Sequence, residues 1–266
     1  MSKIVILDHD EPHPVRVHRE HGLSPFFLTC DHAGKRIPRK LGDLGLPAHE
    51  LERHIAWDIG ALATSAHLSA RLDATLVEQV YSRLVVDCNR KRDMPTFVTE
   101  VSEATEIPGN MGLRDEHVAA REREIHTPYH DRIVDLMNHR ERTGRPNVLI
   151  AMHSFTPIFH GNARPWHIGL LYNRDDRLAA ILHDVLTEHD VVVGDNEPYA
   201  ISDDSDYGIP VHGEERGVPH IEFEIRQDLI ADDAGQKRWA ALLEDVLRVA
   251  LQRLEAHYPE AVLAAD

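Results

Sequence analysis

Asn147-Val148-Leu149-Ile150-Ala151-Met152-His153 is the stretch that decides the fold. Its apolar residues follow one another without polar alternation, the pattern of a strand covered on both faces inside a parallel sheet. Pro25 to Cys30 repeats the arrangement, a short apolar strand that closes on Asp31-His32-Ala33-Gly34. Ala74 to Val77 opens a further strand after Asp73, and Ser82 to Cys88 reads as the next. Downstream, the strands His167 to Tyr172, Val191 to Gly194 and Pro219 to Arg226 alternate with a helix from Asp175 to His189 and a last helix from about Ala234. That last helix carries Trp239, Leu242, Leu243, Val246, Ala250 and Leu254 on one stripe. Upstream, Leu51, Ile55, Ile59, Leu62 and Ala66 recur at helical spacing behind Pro47, and Val118 to Leu136 do the same with Pro128 set to kink them. The segments Lys91 to Arg114 and Asp195 to Gly217 show no period and read as long loops. Strands alternating with helices predict the α/β class. The expected architecture is one domain over residues 1–266, with a polar arm at 1–23 and a mixed, mostly parallel sheet covered by helices on both faces. Ligands of such sheets gather at the carboxyl ends of the strands.

The chain has 266 residues, 42% of them hydrophobic, enough for one sizeable core, and no apolar run reaches the roughly 20 residues of a membrane span. With 29 Lys and Arg against 45 Asp and Glu, the formal charge of -16 has the wrong sign for a phosphate-backbone or anionic-membrane binder. Two cysteines give no disulfide framework, and the start of the chain lacks the pattern of a secretory signal, so a cytoplasmic location is expected. Neither a Gly-rich phosphate loop nor a Gly-x-Ser-x-Gly elbow occurs, which disfavours nucleotide cofactors and serine hydrolysis.

Polar residues stand where packing would place apolar ones. Asp31-His32 and His153-Ser154 both end apolar strands, so two imidazoles could converge on one metal ion. Either could also be a loop histidine held by an ordinary hydrogen bond. Asp58 falls on the stripe of the expected helix, where a carboxylate needs a metal or an ion-pair partner. In Ile221-Glu222-Phe223-Glu224-Ile225-Arg226 the two acids and the arginine share one face and the apolar residues share the other, as in a site or an exposed edge strand. Arg83, Asp87, Asn89 and Arg90 sit near the end of another strand, where guanidinium groups could hold a carboxylate or form surface ion pairs. Cys30 reads as a core residue rather than a nucleophile.

As an ordered set, these residues resemble the N-formylglutamate amidohydrolase family. The resemblance is carried by Asp31-His32-Ala33-Gly34 with Ile37-Pro38, His54-Ile55-Ala56-Trp57-Asp58, Tyr81 to Arg90, His153-Ser154-Phe155-Thr156-Pro157, Arg164-Pro165-Trp166 and Glu224-Ile225-Arg226. It runs from about Ser24 to the last strand. It implies a fold similar to zinc carboxypeptidases and hydrolysis of an N-formyl or N-acyl group from an acidic amino acid. It further implies one Zn(II) per chain held by His32, His153 and an acid, with Glu224 as general base and Asn89-Arg90 gripping the substrate carboxylate. The wider fold places the acid three residues after the first histidine, where this chain has Lys35, so Asp58 is the expected ligand. Arg83 is expected to assist at the oxyanion and Arg226 to join the carboxylate grip. Ala33, where many members have Ser, marks a divergent branch. Two other readings stay open: a metal-dependent deacylase or peptidase acting on another N-acyl substrate, and a non-catalytic protein that binds a carboxylate.

Overall fold

A computed structural model describes residues 3–262. Seven strands form the main sheet: β1 (Val15–His18), β2 (Phe26–Cys30), β3 (Thr75–Gln79), β4 (Val148–Phe155), β5 (Ile168–Leu171), β6 (Val193–Asp195) and β7 (His220–Arg226). Their order is β1-β3-β2-β4-β7-β5-β6. The central four, β3, β2, β4 and β7, run parallel, while β1 pairs antiparallel with β3 and β5 antiparallel with β7, and the edge strand β6 runs parallel to β5. The chain is thus a single-domain α/β protein with a mostly parallel mixed sheet. β4 is buried along its whole length, as an uninterrupted apolar run requires.

Each face of the sheet has its own layer. Phe26, Leu28, Ile150, Met152, Ile221 and Phe223 pack against helices α1 (Ala61–Leu72), α4 (Arg177–Leu186) and α5 (Asp233–His257). Phe27, Val77, Leu149 and Ala151 pack on the other side against α2 (Asp115–Arg121) and α3 (Thr127–Arg142). A wide turn of π-helix, Glu122–His126, joins α2 to α3 just before Pro128, so the kink expected at the proline is absorbed where its missing N–H would break the ladder.

Four sequence expectations are corrected. The arm at 1–23 contributes β1, whose Val-Arg-Val-His alternation is that of an edge strand. Ser82 to Cys88 is no strand. The Ser82 hydroxyl accepts from the Leu84 N–H at 3.1 Å and the Ser82 carbonyl accepts from the Val85 N–H at 2.9 Å, so a local turn replaces a ladder. The loop Lys91 to Arg114 contains a short hairpin, Val101–Ser102 with Thr105–Glu106, and the buried Arg121 fixes it by donating to the Val85, Asn110 and Gly109 oxygens. The helix expected from Pro47 begins only at Ala61, so Asp58 lies in the turn before α1 and not on a helical stripe.

That turn is held from several sides. The Asp58 N–H donates to the His32 carbonyl at 2.9 Å, the Ser154 hydroxyl donates to the Ile59 carbonyl at 2.9 Å, and the Ser82 hydroxyl donates to the Ala56 carbonyl at 2.7 Å. Gly60 then takes φ 82°, where a Cβ would come within 2.2 Å of the Ile230 carbonyl oxygen. Gly60→Ala is therefore expected to cost more than about 1 kcal/mol. Urea unfolding checks this, and a midpoint equal to that of the wild type would mean that the turn relaxes freely.

Candidate active site

Register brings the polar strand ends together. Glu224 of β7 lies opposite His153 of β4, and Thr29 of β2 lies opposite Ala151, which sets Asp31, two residues on, level with His153. The period of two turns Glu222 and Glu224 to the same face as His153, away from Ile221, Phe223 and Ile225. Asp31, His32, Asp58, Asp87, His153, Glu222 and Glu224 are all buried.

The two imidazoles share one carboxylate. His153 Nδ1 lies 3.0 Å and His32 Nδ1 3.6 Å from the same oxygen of Asp58. On their far sides, His32 Nε2 meets Asp87 at 2.7 Å and His153 Nε2 lies 3.0 Å from Asp31. Asp58 also accepts from the Ser154 N–H at 3.2 Å. Arg83 bridges the acids, with Nη2 2.8 Å from Asp87 and Nη1 3.4 Å from Asp58. His32 Nδ1, His153 Nε2, Asp31 Oδ1 and Glu224 Oε2 have no aligned hydrogen-bond partner among the described residues. Two groupings, Asp31 with His32 and His153, and His153 with Glu222 and Glu224, bring ligand atoms within 4.8 Å of one another. The Glu224 carboxylate accepts from the Tyr199 hydroxyl through its other oxygen.

Charge follows from this packing. Burial would lower the His32 pKa and Arg83 opposes protonation too, but Asp87, Asp31 and Asp58 raise it to about 9. His153 is likewise held well above its ordinary value, burial being outweighed by Asp31 and Glu222. Burial raises Glu222 to about 8 and Glu224 to about 7, with neighbouring acids adding to it. Burial also pushes the Cys30 thiol well up, which fits a core residue and not a nucleophile.

A cleft of about 390 Å³ opens over the centre, its floor made by Asp58, Asp87, Arg83 and Ser154. Arg90 lines it, 3.1 Å from Asp206. Asn89 lies beneath, where its side-chain oxygen accepts from the Tyr207 and Gly208 N–H groups at 3.0 and 2.8 Å. Arg226 turns elsewhere: it pairs with Asp228 at 2.8 Å and reaches the Pro165 carbonyl at 3.2 Å. Lys35, three residues after His32, points to Glu52 and the Trp57 ring. Sequence reasoning missed Tyr199, which sits on a loop without periodicity, and left Arg164, quoted only as part of the resemblance, and Asp87, beside His32, without their roles. The position of Asp87 after the apolar Leu84-Val85-Val86 was the available signal.

A sheet whose imidazoles, carboxylates and guanidiniums meet at strand carboxyl ends beneath a cleft defines an α/β protein with an enzyme-like centre. The family follows from comparison with known proteins. The family model described as N-formylglutamate amidohydrolase matches residues 24–231, and the chain belongs to that family of amidohydrolases. It is similar to the crystal structure of gene product Atu2144 from Agrobacterium tumefaciens, at 37% identity over 94% of this chain and 99% of that one, with a TM-score of 0.92. It is also similar in fold to N-formylglutamate amidohydrolase from Ralstonia eutropha JMP134, at 17% identity over 91% and 98% of the two chains, with a TM-score of 0.63. Compared with curated protein sequences, the chain matches none.

A second histidine group supports the cleft wall. His130 Nε2 donates to the Cys88 carbonyl at 2.8 Å, its Nδ1 meets His212 Nε2 at 2.9 Å, and His126 Nε2 lies 3.2 Å from the Arg90 carbonyl. Burial lowers His126 from 6.5 to about 4, and burial with Arg216 lowers His212 from 6.5 to about 4. A folded pKa below the unfolded one makes the unfolded chain bind more protons, so this stability is complete above about pH 6.5 and is lost as pH falls toward 4. His212→Gln removes one such group and is expected to flatten the stability slope in that window by about 1.4 kcal/mol per pH unit. Urea unfolding at stepped pH measures the slope, and no change would mean that His212 titrates in the folded protein as it does in the unfolded chain.

Proposed function

We propose that the protein is a zinc-dependent amidohydrolase. It removes the formyl group, or another small acyl group, from the nitrogen of an acidic amino acid such as N-formylglutamate, in the manner that the zinc carboxypeptidase-like resemblance implies. The observation that carries this reading is the pair of imidazoles turned by Nδ1 toward one oxygen of Asp58, each met on its far side by another carboxylate. Imidazole nitrogen and carboxylate oxygen are ordinary zinc ligands, and outer carboxylates fix ligand tautomers. The orphaned His32 Nδ1 fits such a donor set, as does the crowd of buried carboxylates around Arg83. His32, Asp58 and His153 would hold the ion. Asp31 is the rival acid, and Asp58 is favoured because it lines the cleft while Asp31 does not. A zinc ion held there would supply Lewis acidity toward the amide carbonyl and toward water.

The chain's own residues supply the remaining steps. Glu224 takes the proton of the attacking water on its open oxygen and returns it to the leaving amine nitrogen, while the Tyr199 hydroxyl holds its other oxygen in place. Arg83, on the cleft floor, steadies charge developing on the amide oxygen. Arg90 meets a substrate carboxylate from the cleft wall, and Asn89 positions the backbone that carries it. Arg226 serves by holding the Pro165 backbone rather than by touching substrate. The partner is thus a small anionic N-acyl amino acid and no nucleic acid. No helix among the described residues is long and apolar enough to cross a membrane, and two free, buried cysteines suit the reducing cytoplasm.

Formate release from N-formylglutamate, compared with acetate release from N-acetylglutamate, tests the reaction; turnover of neither sinks the assignment. Metal analysis of purified protein is expected to find about one zinc per chain. His32→Ala and Asp58→Asn should lose it with the fold intact, while Asp31→Asn should keep zinc with affinity weakened about 10- to 100-fold. The reverse order for the two aspartates would make Asp31 the ligand. Glu224→Gln is expected to retain zinc and to lower kcat about a hundredfold to ten-thousandfold. Near-native turnover in that variant would move the base to Glu222.

A further inference from the structure

Three guanidinium groups line the cleft, those of Arg83, Arg90 and Arg164. Arg83 is paired with Asp87 and Asp58, and Arg90 with Asp206. Arg164 has no carboxylate partner among the described residues. Its guanidinium lies 4.5 Å from the centroid of Phe159, 5.8 Å from that of Phe155 and 5.9 Å from that of Tyr199. Rings occupy the flat faces of a guanidinium and leave its N–H edge to an acceptor. The backbone beneath is clamped as well. The Arg164 N–H donates to the Pro157 carbonyl at 2.8 Å, and Arg226 Nη1 reaches the carbonyls of Arg164, Pro165 and Trp166 at 3.2 to 3.5 Å. An accessible cation with fixed orientation and no partner, facing into a cleft, is suited to an anion that arrives from outside.

We propose that Arg164 receives the substrate carboxylate farther from the scissile amide and so sets the preference for an acidic side chain, an inference that rests on the amide-hydrolase reading above. The placement gives the direction. Arg83 touches Asp58 and Asp87, the acids beside the imidazoles, and Arg90 follows three residues after Asp87. Arg164 follows the hairpin of Ile158–Phe159 with Asn162–Ala163, whose Ile158 is 59% exposed at the rim. Groups of a bound amino acid near the amide would face Arg83 and Arg90. Its side-chain terminus would extend toward Arg164. The pocket therefore selects charge at both ends of the ligand, and only Arg164 brings a cation that no protein carboxylate already neutralises.

The test compares N-formylglutamate with its near-isosteric neutral counterpart N-formylglutamine, on the zinc-loaded full chain. Arg164→Ala is expected to lower kcat/KM for N-formylglutamate about thirtyfold, mainly through KM, and to change N-formylglutamine by less than about threefold. Arg164→Lys should recover only part of the loss, because a point charge lacks the planar fork. Equal losses on the two substrates, or none on either, would overturn the assignment while leaving the hydrolase reading standing. Calorimetric titration with glutarate separates the opposite failure, since it needs no turnover. Glutarate binding that disappears in Arg164→Ala, in a protein that hydrolyses neither substrate, would keep the carboxylate contact and discard the reaction. Glutarate binding equal in both proteins would remove Arg164 from recognition.

Discussion

Five carboxylates, those of Asp31, Asp58, Asp87, Glu222 and Glu224, are buried within one small volume, and the structure around them is organised to make that tolerable. An unpaired buried charge costs several kcal/mol, and removing one member of a buried pair is worse than never having had the pair. The three aspartates accordingly have charged counterparts, and the two glutamates are kept closer to neutral. Asp87 lies between Arg83 and His32, Asp58 between two imidazoles and Arg83, and Asp31 against His153, while Glu222 and Glu224 are pushed toward the neutral form by burial. The backbone ties on the Ala56–Ile59 turn follow from the same demand. A carboxylate that serves two rings at once must not drift.

This arrangement divides the labour of the two sheet faces. The face toward α1, α4 and α5 is apolar and supplies the burial that folding needs. The opposite face gives its strand ends to ionisable groups, and there the long loops replace helix. Those loops are fixed by buried polar contacts instead of apolar packing. Arg121 holds the segment before it, and His126 and His130, the latter backed by His212, hold the Cys88 to Arg90 backbone as neutral rings. A neutral imidazole can donate and accept without adding charge to a site already crowded with it.

What the sequence disclosed, and what it hid, sorts by the range of the interaction. Continuous apolar runs and the alternation of Glu222, Phe223 and Glu224 are local signals, and they gave the sheet and the face on which the acids lie. His32 and His153 were visible because each interrupts such a run at its end. Asp58 fell on an apparent helical stripe only because Leu51, Ile55 and Leu62 happened to share its spacing; it reaches the imidazoles from a turn whose conformation depends on Gly60 and on contacts to distant strand ends. The apolar Leu84-Val85-Val86 looked like a strand because periodicity cannot register a serine that captures its own neighbours' backbone. Arg226 shares a strand face with the acids, yet its side chain runs back to Asp228, since alternation gives a face and not a direction along it. Tyr199 lies on a loop, where no pattern of spacing exists to be read, and Arg164 stood out only within the Arg164-Pro165-Trp166 motif, which names a residue and not its role.

The acidity of the whole chain sharpens the role of those local cations. A formal charge of -16 repels an anionic substrate at long range, but at physiological ionic strength that repulsion is screened beyond about 8 Å. Inside the cleft the balance is set by the nearest pairs. The charges of Arg83 and Arg90 are already shared with Asp87, Asp58 and Asp206, so an incoming carboxylate competes with protein acids for them. At Arg164 there is no such competitor among the described residues, and three aromatic rings stand 4.5 to 5.9 Å from its guanidinium. A single uncompensated guanidinium in that setting can outweigh a large, screened, distributed charge, because the interaction is short, directional and partly desolvated. A chain acidic overall can on these terms still accept an anion, provided positive charge is withheld from internal partners where the anion would bind, as it is at Arg164 among the described residues.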